Sequence, residues 1–309
     1  MRNWKGTIWI AFILSILGVV LMIFFAVCKG FNDGSGVLDS TLASEYGSLI
    51  GGVVGSIFTL AGMLLLYETI VAQRKSFEIQ QFEARFFELV RIHRDNVAQM
   101  THRIPWAENE KYYDSTRVFI ELKSQFSKLY KIIKPKIDIN ETIRNEDKER
   151  AAIIISYLVL FFGVSRATRR DLENVLSQFD SEMIKEIIDE IRLIKAKYNN
   201  KVVYFGGHQV RLGHYYRHLF QTVKYIDTVK FLDEKEKYNY VKILRAQLTQ
   251  HELAIFFINS LSIGQAWEIN KYITKYKLIK NLPQNFVENI NPKDYYSGFE
   301  YEWDRRYGV

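Results

Sequence analysis

The sequence is poor in three things, and each absence narrows the reading. One cysteine, Cys28, is present in 309 residues, so no disulfide can form within the chain and the cross-linked scaffolds of small secreted domains are excluded. Only four prolines occur, with no glycine-rich or serine-rich run, which argues against many short strands and favours long helices. No phosphate loop, dinucleotide-binding glycine pattern, CxxC pair, HExxH or nucleophile elbow occurs. The common signatures of nucleotide, zinc and serine-hydrolase chemistry are therefore absent, and neither a cofactor nor a metal is expected.

What is present is unevenly spread. A quarter of the chain is charged (25%) and the formal net charge is +7, yet Trp4 to Ala72 holds almost nothing ionisable outside one short segment. Ile8 to Val27 (IWIAFILSILGVVLMIFFAV) is an unbroken apolar run, about the 20 residues an α-helix needs to cross a bilayer. A cleaved signal peptide is the competing reading, but the small residues of a cleavage site are missing where Phe24, Phe25 and Val27 stand. Val27 also argues against lipid attachment at Cys28. Gly47 to Ala72 supplies a second span, with Glu68 near its end, where the carboxylate is expected to reach the interface.

Charge placement orients the pair. Arg2 and Lys5 precede the first span and Arg74 and Lys75 follow the second, while the connecting loop sets Lys29 against Asp33, Asp39 and Glu45. The positive-inside rule then predicts both termini and the main domain on the cytoplasmic side. Gly47, Gly51 and Gly55 recur every four residues, a small-residue stripe that lets helices approach closely. It is expected to pack against the first span of the same chain or to build a homo-oligomer.

The remainder predicts an all-α domain behind two N-terminal transmembrane helices. From Ser76 the positions Ile79, Phe82, Phe86, Leu89, His93, Val97 and Met100 keep three-to-four spacing until Pro105, so the second span is expected to continue as an amphipathic helix. Further helices are expected at 115–133, stopped by Pro135, and at 147–162, where AAIIISYLVLFF is apolar on every side and reads as the central core helix. Others follow at 169–198, 209–231 and 234–259, with Gly206 and Gly207 in a turn and Asp233 as an N-cap. The expected organisation is a two-helix hairpin over 1–75, a helical domain over 76–283, and an irregular aromatic tail over 284–309, which partner binding or autoinhibition would also suit.

Candidate chemistry concentrates in GGHQVRLGHYYRHLFQ, residues 206–221. Arg211, His214 and His218 fall on one helix face. His214 and His218 at i, i+4 could chelate a metal, but no carboxylate is placed beside them. Arg211 with His218, and Arg245 with His251, also fit the Arg-x4-6-His spacing of helical ribonucleases of the HEPN type. There an imidazole moves a proton and an arginine steadies phosphate charge. Against both stands a structural reading, in which Tyr215, Tyr216, Leu219 and Phe220 pack inside while the polar residues bond to their neighbours. Arg166, Arg169 and Arg170 could hold RNA phosphate or lipid headgroups, or simply begin an exposed helix.

Several blocks resemble the phage abortive infection family sometimes called AbiC-like. They are FEIQQFEARFFELVRIHRDNV, YLVLFFGVS, RLGHYYRHLFQTVKYID, LRAQLTQHELAIFFINSLS and KYKLIKNLP, in that order between residues 77 and 283. The resemblance implies antiviral defence by arrest or death of the infected bacterial cell, at the inner membrane, and implies no active site. The polar positions in these blocks, His214, Tyr216, Arg217, His218, Gln247, Glu252 and Asn259, are the ones it directs attention to. Expected partners are the lipid bilayer, further copies of the chain, and a phage-derived trigger or a neighbouring defence protein. RNA enters only with the ribonuclease alternative, and a third reading is a sensor or scaffold for a separately encoded toxic partner.

Overall fold

A computed structural model of the chain describes residues 4–28, 40–103, 112–165, 168–197 and 205–306. Arg2, Asp33, Asp39, Pro105 and Arg166 lie outside the described residues. The chain divides into two units, residues 1–85 and residues 86–309.

In the first unit, α1 (Trp4–Cys28) is followed by α2 (Ser40–Leu49), a π-helical stretch (Ile50–Val54) and the start of α3 (Gly55–Ala98). Among the described residues, two helical segments are long and apolar enough to cross a membrane. Their apolar side chains point outward: Trp9 is 61% exposed, Phe12 56%, Met63 63% and Leu66 60%. A belt of that kind is unfavourable in water and suits hydrocarbon. Among the described residues, Ala11, Val54 and Ala61 are its buried aliphatic side chains.

The hydroxyls of Ser15, Thr59 and Thr69 each donate to the carbonyl four residues back, which satisfies them without water. The close approach in this unit runs through Gly18, where an added Cβ would stand 3.2 Å from the Phe58 ring. At Gly47 and Gly51 an added Cβ would meet nothing within 4 Å, and at Gly55 only the Ile50 carbonyl, so among the described residues no partner helix covers the stripe. Glu68 is not turned outward but buried, and its Oε1 has no hydrogen-bond partner among the described residues.

Among its described residues the second unit is helical, with one antiparallel ribbon, β1 (Thr101–Arg103) with β2 (Tyr112–Asp114), and an isolated bridge between Val287 and Ile290. From Phe86 onward α3 buries Phe86, Val90, His93 and Val97, the three-to-four spacing of one helix face, and Met100, two residues past its end, is buried as well. Behind the ribbon come α4 (Arg117–Ile139) and α5 (Lys148–Phe162), which pack on each other along their length. As its composition predicts, α5 is buried on nearly every side, with Ile153, Ile155, Tyr157, Val159 and Leu160 fully inaccessible.

Pro135 does not stop α4; it lies inside the helix, which continues to Ile139. Proline's fixed φ fits a helix, and what it forfeits is one bond to the preceding turn. Fully buried Ile133 and Ile137 hold that last turn against the core, the Lys134–Asp138 ion pair spans it, and Lys148 Nζ donates to the Asp138 carbonyl.

The long helix expected over 169–198 is two, α6 (Arg169–Leu176) and α7 (Ser181–Lys197). The second starts where Asp180 Oδ1 accepts from the Met183 N–H at 2.8 Å, capping an otherwise orphaned donor. After α8 (Gln209–Thr228), the helix expected over 234–259 is likewise two, α9 (Glu234–Arg245) and α10 (Gln250–Leu261). Each opens with a reciprocal capping box, Asp233 with Glu236 and Thr249 with Glu252, and the second box overrides continuation through Ala246.

The short helices α11 (Gln265–Ile269) and α12 (Tyr272–Tyr276) follow. Residues 283–306 hold a single-turn 3-10 helix (Pro292–Asp294) and α13 (Glu302–Arg306). Their aromatic side chains go inward: Tyr301 is fully buried and its hydroxyl meets the Pro292 and Tyr296 carbonyls.

Candidate functional site

The site is built around α8, and two glycines set where that helix begins. Gly163 ends α5 at φ 76° and Gly207 precedes α8 at φ 92°, both in the left-handed region that side chains disfavour. A Cβ on Gly163 would collide with Gly206, and one on Gly207 with the Phe162 carbonyl. The two backbones are bonded where they cross, with Val164 N donating to Phe205 O at 3.0 Å and His208 N to Phe161 O at 2.7 Å. Leu212, Tyr215, Tyr216, Leu219, Val223 and Ile226 then form the buried stripe of α8.

At the start of α8, polar side chains form a line. Arg211 Nη1 donates to His208 Nδ1 at 3.4 Å, so that nitrogen accepts and the proton sits on Nε2, which donates to Gln125 Oε1 at 3.0 Å. Gln125 in turn donates to Glu121 Oε1 at 3.0 Å. Burial holds the Arg211 guanidinium below its ordinary range and the Glu121 carboxyl above its own, because each loses water around its charged form.

Half-way along α8 lies a buried cluster of His93 from α3, Tyr215 and His218 from α8, and Glu252 from α10. The rings of His93 and His218 stack at 6.1 Å and 18°, and His218 Nε2 donates to the Leu89 carbonyl at 2.9 Å. Tyr215 donates to Glu252 Oε1 at 3.1 Å, while Thr249 N donates to Oε2 at 2.9 Å. Burial raises the Glu252 carboxyl and these bonds oppose the rise.

His93 is 1% exposed and neither ring nitrogen has a hydrogen-bond partner among the described residues. Desolvation, helped by repulsion from His218, lowers it to about 4. It is therefore neutral at pH 7, and its 3.9 Å approach to Glu252 is a polar contact rather than an ion pair.

On its outer side α8 borders a cleft of about 730 Å³. Phe161 at the end of α5, Tyr216, Arg217 and Phe220 on α8, and Asn259 and Trp267 beyond it are among its walls. Asn259 Nδ2 donates to the Tyr157 hydroxyl at 2.8 Å. The Tyr216 hydroxyl is buried beside that of Tyr157, with which it interacts. Arg217 is exposed and donates to the Gly213 carbonyl at 3.0 Å.

Residues 207–287 match a family model described as "Putative phage abortive infection protein". That match supports a role in antiphage defence. It begins at the α8 turn and covers α8 to α12, so most of the cleft wall and two arms of the histidine cluster fall within it. No curated protein and no solved structure matches the chain.

Of the sequence candidates, Tyr216, Arg217 and Asn259 come together at the cleft, while His218 and Glu252 meet in the buried cluster. Arg211 and His218 are engaged at separate places, one with His208 and the other with Leu89 O. His214 is exposed, and Gln247 bonds back to the Ile243 carbonyl. Arg245 is buried, donating to the Tyr276 and Lys277 carbonyls at the end of α12, and His251 on the next helix packs edge-on to Phe286.

Among the described residues no group of three potential metal ligands assembles. His93, Tyr157 and Gln125 are the participants that sequence reading missed. Each sits on an apolar helix stripe, where a single polar residue among hydrophobes is the available signal.

Proposed function

We propose that the chain is a membrane-anchored antiphage defence protein whose helical domain senses infection and whose apolar helices deliver or localise an arrest of the host cell. The observation that supports this most is the abortive-infection match over residues 207–287 in the same chain as two outward-facing apolar helices. The charge pattern around those helices supports a cytoplasmic side for the helical domain and both termini. The uncovered face of Gly47, Gly51 and Gly55 suits close packing with further copies of the chain, which a membrane-disrupting response requires.

The proposal is tested by challenging bacteria that express the chain with phage while recording membrane potential and plaque yield. Depolarisation before lysis, with fewer plaques, is expected, and replacing Gly51 and Gly55 by Leu should abolish both. Undisturbed potential throughout a protective arrest would exclude membrane disruption.

A further inference from the structure

We propose that the cleft between α8 and the α10–α11 turn binds a free nucleotide, a planar heteroaromatic ring carrying phosphate. Its volume of about 730 Å³ lies inside the range of small-molecule sites, roughly 300–1,000 Å³. The walls are ring-bearing and fixed in advance: Trp267, 2% exposed, is held edge-on by Phe220 at 5.0 Å and by Phe256 at 4.8 Å. Val210 at 87% exposure and Ile263 at 41% stand on the same lining, apolar surface suited to covering a flat ring. Gly213 leaves the α8 side open, since an added Cβ would meet only the Phe161 ring edge, at 4.0 Å.

Polarity and charge narrow the class further. The Tyr216 ring stands on this wall while its hydroxyl interacts with that of Tyr157, so the polar groups left to a ligand are carboxamides and one guanidinium. Gln209 and Gln221 add carboxamides that both donate and accept, which is what the edge of a base requires. Among the described residues lining the cleft none is acidic, and Arg217 is the one cation. A cationic ligand would find no counter-charge, a purely apolar one would leave Gln209, Gln221 and Arg217 unused, and a bare phosphate would leave the aromatic walls idle. A nucleotide uses all three features.

The biological meaning of the assignment, a trigger for the domain, rests on the sensing role proposed above, but binding itself can be measured apart from it. The full chain in lipid nanodiscs is titrated calorimetrically with adenosine and guanosine monophosphate, the matching nucleosides, inorganic phosphate and a short single-stranded RNA. A mononucleotide should bind, its nucleoside about tenfold more weakly, as loss of one charge-assisted contact implies, and phosphate not at all. Arg217→Ala, at an exposed position, should erase the difference between nucleotide and nucleoside. Gly213→Leu should abolish binding of both without lowering the melting temperature.

Absence of nucleotide binding up to about 1 mM, where only some 4 kcal/mol would be missed, overturns the proposal, as does binding that ignores both variants. Tighter binding of the RNA overturns the free-nucleotide assignment. Nucleotide binding by a chain that gives no phage protection would refute the defence role and leave the site standing, whereas protection without binding would do the reverse.

Discussion

Helices α1 and α5 are both almost wholly apolar, yet they dispose of that surface in opposite ways. In α1 the side chains of Trp9, Phe12, Ile13 and Ile23 are more than half exposed, whereas in α5 Ile153, Ile155 and Leu160 are fully buried. At about 25 cal/mol per Å2 of apolar surface, the second arrangement stabilises the domain by tertiary packing. The first leaves that gain to be made by a surrounding apolar phase. Hydrophobicity thus marks both helices as needing an apolar environment, and only the presence of packed neighbours separates a core helix from a span.

Charge insertion should separate the two helices most sharply. Ile155→Lys would bury an unpaired ammonium in the core and cost more than about 4 kcal/mol, enough to unfold the helical domain, visible as lost cooperative melting. Ile13→Lys should instead leave domain melting unchanged and impair membrane insertion by about 3 kcal/mol, read by fractionation. Equal effects of the two substitutions on the domain would break the distinction.

The join between α5 and α8 comes next. Gly207→Ala meets both a positive φ and the Phe162 carbonyl, so a loss of roughly 2–4 kcal/mol in domain stability is expected, measurable by denaturant unfolding in detergent. A neutral substitution would mean that the crossing is not tight.

His93 gives a pH effect of about 2 kcal/mol. Its proton affinity falls to about 4 on folding, from about 6.5 unfolded, so between those values the unfolded chain binds the extra proton and stability falls as pH is lowered from 7 to 5. Raised Glu252 acts with the opposite sign from about pH 4.5 upward, which is why the comparison is between wild type and His93→Leu. The variant should lose about 2 kcal/mol less on acidification, a difference of roughly 4–8 °C in melting shift for a domain of this size. Identical pH profiles would remove His93 as the source.

Smallest is Asp233→Ala, which deletes the cap bond to Glu236 N and should cost about 1 kcal/mol in the domain while leaving membrane association untouched.

What could be read from sequence follows the range of the forces involved. The burial of α5 and the Asp233 cap were legible because each is encoded within one or two turns of chain. The Thr249–Glu252 box was equally local, but the apolar rhythm of 253–258 invited a longer helix, and Glu252 stood out as a polar oddity rather than as a cap. Pro135 was overread as a terminator because the burial of Ile133 and Ile137 by distant helices is invisible in a local window. Gly163 gave no signal without Gly207 beside it, and the two are separated by 44 positions. The cleft is less legible still: its wall joins Phe161 to Trp267 through tertiary packing that no spacing rule reports.

The central claim is that the apolar pair and the helical domain act together against phage. Plating efficiency of a phage panel on cells carrying the full chain, the chain lacking residues 1–72, or neither tests it most directly. Protection by the full chain and its loss in the shortened one, at equal protein levels, is the predicted result. Equal protection by the shortened chain, or plating on the full chain as efficient as on cells with neither, would contradict it.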